Sequence, residues 1–272
     1  MTEHGLEIIS PHRPAPGQIR AAVLDFDGTL STLRYGWEKV MEPLMVEMIC
    51  GPNHRDDGSI RSLVQEYIGE STGIQTIYQM NWLADQVEKW NFHPERHDGW
   101  WYKNEYNTRL MQQVSQRIAD IESGRKKPED FLIAGAREFL QGLKERGITI
   151  YIASGTDHQD VVREAGILNL SGDFALVCGA PEHQMACPKE AVIRMILQEK
   201  GLHGSELLLC GDGKVEIELG VENNAFTLGV ASLEGLRRGI NPVKRAKLIR
   251  AGAQAIIGDY LDAQAVYEYY GM

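Results

Sequence analysis

Two aspartates stand two positions apart in Asp25-Phe26-Asp27-Gly28-Thr29, directly after the apolar run Ala21-Ala22-Val23-Leu24. An apolar run ended by acidic residues and glycine reads as a buried strand entering a loop. Positions i and i+2 of an extended segment share a side, so both carboxylates are expected at the mouth of that strand. Carboxylates held that close repel unless a cation or a shared proton lies with them. Gly28 lets the backbone turn tightly around a ligand.

Three later strings add compatible chemistry. Ser154, in Ala153-Ser154-Gly155-Thr156, ends another apolar run, where a hydroxyl and free backbone N–H groups can hold phosphate oxygens. Thr156 is the alternative hydroxyl of that string. Lys189 opens a helical pattern, where a cation opposes the helix dipole and hints at an anion to neutralise. Asp212, in Gly211-Asp212-Gly213-Lys214-Val215-Glu216, follows a third run, with Glu216 and Glu218 close behind. Such hard oxygen ligands suit Mg²⁺. Each string alone is also an ordinary turn, and only the set of four points to a site.

These residues need a scaffold that brings strand ends together. Apolar runs recur at Ile148 to Ala153, Phe174 to Cys178, Leu207 to Cys210, Phe226 to Val230 and Ala255 to Ile257. Helical patterns lie between them, Phe131 to Arg146 and Lys189 to Lys200, each followed by glycine. Strands alternating with helices predict an α/β fold with a doubly wound parallel sheet, which binds ligands at the carboxyl ends of its strands. Residues 1–20 read as a polar, proline-containing lead-in, and residues 33–128 as a mostly helical insertion ending in the linker Ser123 to Pro128. In the insertion, Trp37 to Ile49, Ile74 to Leu83 and Tyr102 to Ile118 carry helical apolar spacing, with Pro43 placed to kink or delay the first. All five tryptophans fall there, expected mainly as the core of the insertion.

The chain has 272 residues, 43% apolar and 24% charged, enough for one core with an insertion. A net charge of −10 argues against nucleic acid as partner. No signal-peptide pattern and no membrane-length apolar run is read, and the four cysteines are scattered without a CxxC pair, so a cytoplasmic protein is expected. Oligomeric state is left open.

Taken in order, the four strings resemble the four motifs of the haloacid dehalogenase superfamily, over residues 21–32 and 129–260, with core residues continuing to 272. The insertion falls where that superfamily places its C1 cap. The resemblance implies a Mg²⁺-dependent phosphatase acting on a small phosphorylated metabolite, a sugar phosphate or a phosphorylated acid. Asp25 would be the nucleophile forming an aspartyl-phosphate, and Asp27 the acid and base. Ser154 and Lys189 would hold phosphate oxygens. Asp25, Asp212 and the Asp27 carbonyl would hold the metal, with Glu216 orienting a water there or Lys189. Gly28, Thr29, Arg34 and Gly155 are the candidates for substrate contact, Arg34 through a second anionic group. The Gly73-Ile74-Gln75-Thr76 turn is a candidate for presenting polar groups to the site. Motif four usually ends in Asp, and here offers Glu216 or Glu218. The superfamily's dehalogenases lack a carboxylate at the position of Asp27, which favours phosphoryl transfer. A sugar phosphomutase is the rival enzyme, and an inactive binding protein on the same fold the rival of another class.

Overall fold

The computed structural model describes residues 5–272. Its sheet has seven strands, β1 (Glu7–Ile8), β2 (Ala21–Leu24), β3 (Thr149–Asp157), β4 (Leu176–Ala180), β5 (Leu207–Gly211), β6 (Phe226–Val230) and β7 (Ala255–Ile257). Their order is β1-β7-β6-β5-β2-β3-β4. Every pairing is parallel except that of β1 with β7. Strand periodicity splits the residues between two faces. Ala22 and Leu24 enter one apolar layer with Ile150, Ile152, Leu208 and Cys210. Ala21 and Val23 enter the other with Tyr151, Leu207 and Leu209. Burial on both faces is why these strands read as unbroken apolar runs.

Four helices follow β2: α1 (Glu38–Cys50), α2 (Ser59–Glu70), α3 (Thr76–Trp90) and α4 (Gly99–Glu122). They bury a cluster of their own, including Met41, Leu44, Met45, Val64, Leu83, Tyr106 and Leu110. Helix α1 runs through Pro43 without ending. Trp37, Trp82 and Trp90 pack against this cluster, and Trp82 stacks on Tyr67 at 3.8 Å, so most of the aromatic surface is structural. The core helices are α5 (Ala136–Glu145), α6 (His158–Ile167), α7 (Pro188–Glu199), α8 (Lys214–Glu222), α9 (Pro242–Ala251) and α10 (Ala263–Tyr269). No helix among the described residues is long and apolar enough to cross a membrane.

The lead-in is not wholly irregular. Glu7 and Ile8 pair with Ile256 and Ala255, so the strand carrying Asp25 is the second in the chain. The helix expected from Phe131 starts instead at Ala136, because Gly135, at φ +78°, breaks the turn before it. A Cβ there would lie 2.6 Å from the Tyr260 backbone, so glycine alone lets that turn close on the core.

Candidate active site

Register sets the site. Leu24 pairs with Ile152 of β3 and with Cys210 of β5. The three strands therefore bring the residues that follow to the same carboxyl edge of the sheet, side by side. The Asp25 N–H donates to the Cys210 carbonyl at 2.9 Å, which pins the nucleophile candidate beside motif four. Strand β3 runs past Ala153, but its ladder with β4 shifts register between Ala153 and Asp157. That irregularity frees Ser154, Gly155 and Thr156 from pairing, and all three line one cavity with Asp25, Asp27, Gly28, Lys189 and Asp212.

Lys189 is 2% exposed and sits among anions. Its Nζ lies 3.2 Å from Asp25 Oδ1 and 2.7 Å from Glu216 Oε2, and donates to the Gly73 carbonyl at 3.2 Å. The other Glu216 oxygen accepts the Gly213 N–H at 2.8 Å, closing the first turn of α8. Glu216 thus braces Lys189, while Glu218 is exposed on the far side of that turn. Burial pushes the Asp25 carboxyl well up, Lys189 opposes this, and Glu216, Asp212 and Asp27 add to it. Asp27 is pushed up to about 7, by burial first and then by the charge of Glu164, against Arg34 and a hydrogen bond from Thr156. That bond, Thr156 Oγ1 to Asp27 Oδ2, is 2.8 Å long, and Asp27 Oδ1 is buried with no partner among the described residues.

Carboxylate oxygens of Asp25, Asp212 and Glu216 lie within 4.8 Å of one another. Three carboxylates from two segments, Asp25 after β2 and Asp212 with Glu216 after β5, packed against a glycine turn, fit a hard dication. A Cβ at Gly28 would stand 2.2 Å from Asp212 Oδ2, so the turn must be glycine for Asp212 to enter. The Asp27 carboxylate is outside this cluster, turned toward Thr156.

Two candidates for substrate contact behave differently from expectation. Thr29 does not line the cavity: it is wholly buried beneath it, its carbonyl accepting from Tyr260 Oη at 3.1 Å. The Gly28 turn reverses the chain there and points the next residue inward. Arg34 does line the cavity, but its Nε and Nη2 are held by Glu164 at 3.0 and 2.6 Å, and Nη2 also by Asp160 at 2.9 Å. Nη1 makes no hydrogen bond among the described residues. The remaining wall comes from the helical insertion: Trp37, Thr72, Gly73, Ile74, Thr76, Gln79, Tyr106 and Leu110. Of the five tryptophans only Trp37 reaches it.

The insertion packs tightly on the core at Gly155, where a Cβ would lie 3.0 Å from the Ile74 carbonyl oxygen. Gly155→Val should force the 72–76 loop away from the cavity while leaving the sheet intact. Turnover of the preferred substrate is expected to fall on the order of 10–10²-fold, as for a misplaced positioning element. Steady-state kinetics with an unchanged melting curve would check it, and full activity would show that this contact does not position anything.

Residues 19–222 match the sequence model of the haloacid dehalogenase-like hydrolase family. No curated protein matches the sequence. Similar solved structures include a protein described as a predicted phosphoglycolate phosphatase from Haemophilus somnus 129PT, at 14% identity and TM-score 0.62, covering 92% of this chain and 98% of that one. A β-phosphoglucomutase from Clostridium difficile is similar at 15% identity and TM-score 0.59, covering 93% and 97%. A haloacid dehalogenase-like hydrolase from Streptococcus pneumoniae is similar at 18% identity and TM-score 0.58, covering 92% and 99%. At such identities the likeness is one of fold.

Proposed function

The chain belongs to the haloacid dehalogenase-like hydrolases, and we propose that within that family it is a Mg²⁺-dependent phosphatase for a small phosphorylated metabolite. The observation that carries this reading is the convergence of Asp25, Asp27, Ser154, Lys189 and Asp212 on one small cavity. Asp25 attacks phosphorus, an Oδ–P bond forms, and the P–O bond to the leaving group breaks. Asp27 gives its proton to the departing oxygen, then takes one from the water that hydrolyses the aspartyl-phosphate. A carboxyl near neutrality suits both steps, and the partnerless Asp27 Oδ1 is the atom to do it. Lys189 and Ser154 hold the other phosphate oxygens. Mg²⁺, held by Asp25, Asp212 and the Asp27 carbonyl, would supply positive charge against the developing phosphoryl charge.

The cavity holds about 90 Å³. It opens outward between the core and the insertion, so choice of substrate rests on the groups that line it. Among these the Arg34 guanidinium favours a phosphorylated acid over a sugar phosphate. The partnerless Arg34 Nη1 suits the acid group. We assign residues 33–128 the role of a cap and residues 21–32 and 129–272 that of the catalytic core. The motifs recognise phosphate, so choice among phosphates falls to the cap. The four cysteines are free thiols, which fits a reducing cytoplasm.

Phosphate release across a panel of phosphorylated acids, sugars and nucleosides tests the reading. Turnover is expected with Mg²⁺, highest on phosphorylated acids, and lost in EDTA. Full turnover in metal-free buffer, or release from none of the panel, would sink it. A bisphosphate appearing during sugar-phosphate turnover would favour the mutase.

A further inference from the structure

Neither the four motifs nor the reaction above uses Lys244, yet it touches the metal centre. It lies in the first turn of α9, fixed there by Asn241, whose Oδ1 accepts the N–H groups of Val243 and Lys244, and by Pro242. From that turn its Nζ reaches Asp212 Oδ2 at 2.5 Å and Glu234 Oε1 at 2.7 Å, with Ser232 Oγ at 3.4 Å. Ser232 Oγ donates to the Gly28 carbonyl at 2.5 Å, so the segment after β6 is fastened to the turn that follows the nucleophile. Side chains of Lys244 and Glu234 are only 14% and 10% exposed. Glu38, from the start of α1, feels the charges of both Lys244 and Asp212.

Asp212 is therefore not a free ligand, since one of its oxygens already carries a cation. An ammonium and a dication on one carboxylate repel, and the repulsion is strong where water is excluded. Glu234 offers the same ammonium a second seat at nearly the same distance. We propose that Lys244 sets the affinity of this centre for its divalent cation by competing for Asp212, with Glu234 as the carboxylate that draws the ammonium aside. This rests on the reading of Asp25 and Asp212 as metal ligands.

Calorimetric titration of the full chain with MgCl₂, without substrate, separates the possibilities. Lys244→Met should bind Mg²⁺ tighter, by about tenfold or more, because the competing charge is gone. Glu234→Gln should bind it several-fold more weakly, because the ammonium is left on Asp212 alone. Lys244→Arg keeps the charge and should stay close to wild type. A merely structural role for Lys244 predicts the opposite sign for Lys244→Met, since a loosened Asp212 would bind less well. Affinity that is unchanged or weaker in a folded Lys244→Met protein overturns the proposal and leaves the metal site standing. If that variant does not fold, Glu234→Gln decides, and equal or tighter binding there overturns it. No binding of Mg²⁺ or Mn²⁺ by the wild type overturns both the proposal and the metal reading.

Discussion

Asp25→Asn is expected to reduce phosphate release on the order of 10⁴-fold or more and to leave no phosphoenzyme. An amide is a poor nucleophile, and removing the attacking group of a covalent mechanism removes the reaction path itself. The position would otherwise be preserved, because the Asp25 N–H to Cys210 bond is made by backbone. The loss should not come from unfolding. Burial and the carboxylates of Glu216, Asp212 and Asp27 all disfavour a charge on Asp25. A neutral side chain of the same shape there is expected to leave the metal-free protein as stable as wild type, or more so. Asp27→Asn gives the contrast: it should still form the phosphoenzyme but turn over ~10²–10⁴-fold more slowly, for want of the proton transfers. Mass spectrometry of acid-quenched protein distinguishes the two. Wild-type turnover by Asp25→Asn would mean that another group attacks phosphorus.

The parts of this site that could be read from sequence are those written into single strand ends. Asp25, Ser154 and Asp212 each follow an apolar run, and the register of Leu24 with Ile152 and Cys210 turns those local signals into one edge. Glu216 over Glu218 needed the helix, since only the N3 position of α8 bends back to the Gly213 N–H and to Lys189. Other features have no local signal at all. Strand β1 is two residues long and exists through its pairing with β7, near the far end of the chain. The Arg34 clamp depends on Glu164, which is 130 residues away. Asn241 followed by Pro242 is a legible helix start, yet nothing nearby says that Lys244 will reach back 32 residues to Asp212. Thr29 misled for the converse reason. It belongs to the motif string, but the Gly28 turn, at φ +73°, sends it beneath the site.

Lys189→Met should destabilise the metal-free protein by ~3–5 kcal/mol near neutral pH, the usual cost of breaking a buried ion pair by removing one partner. Two buried carboxylates, Asp25 and Glu216, would lose their shared ammonium, and Gly73 would lose a donor that ties the 72–76 loop to the core. The pH dependence fixes the cause. Burial already raises Asp25 above its ordinary value, and Lys189 is the main influence against that rise. Without the lysine the folded-state value rises further. A carboxyl whose folded value is raised costs stability at every pH above its unfolded value of ~4, and costs none below it. The Asp25 share of the deficit should therefore vanish near pH ~4 and grow at higher pH, once the pH passes the raised folded value of Asp25 in the wild type. Added Mg²⁺ should recover part of it at the higher pH, because a dication bound by Asp25 and Asp212 supplies charge that the lysine no longer does. Thermal melts of both proteins, with and without Mg²⁺ near pH ~4 and at higher pH, measure this, with a separation on the order of 10 °C expected at the higher one. A deficit equal at both pH values would trace to lost packing of the lysine stem instead of to the stranded carboxylates.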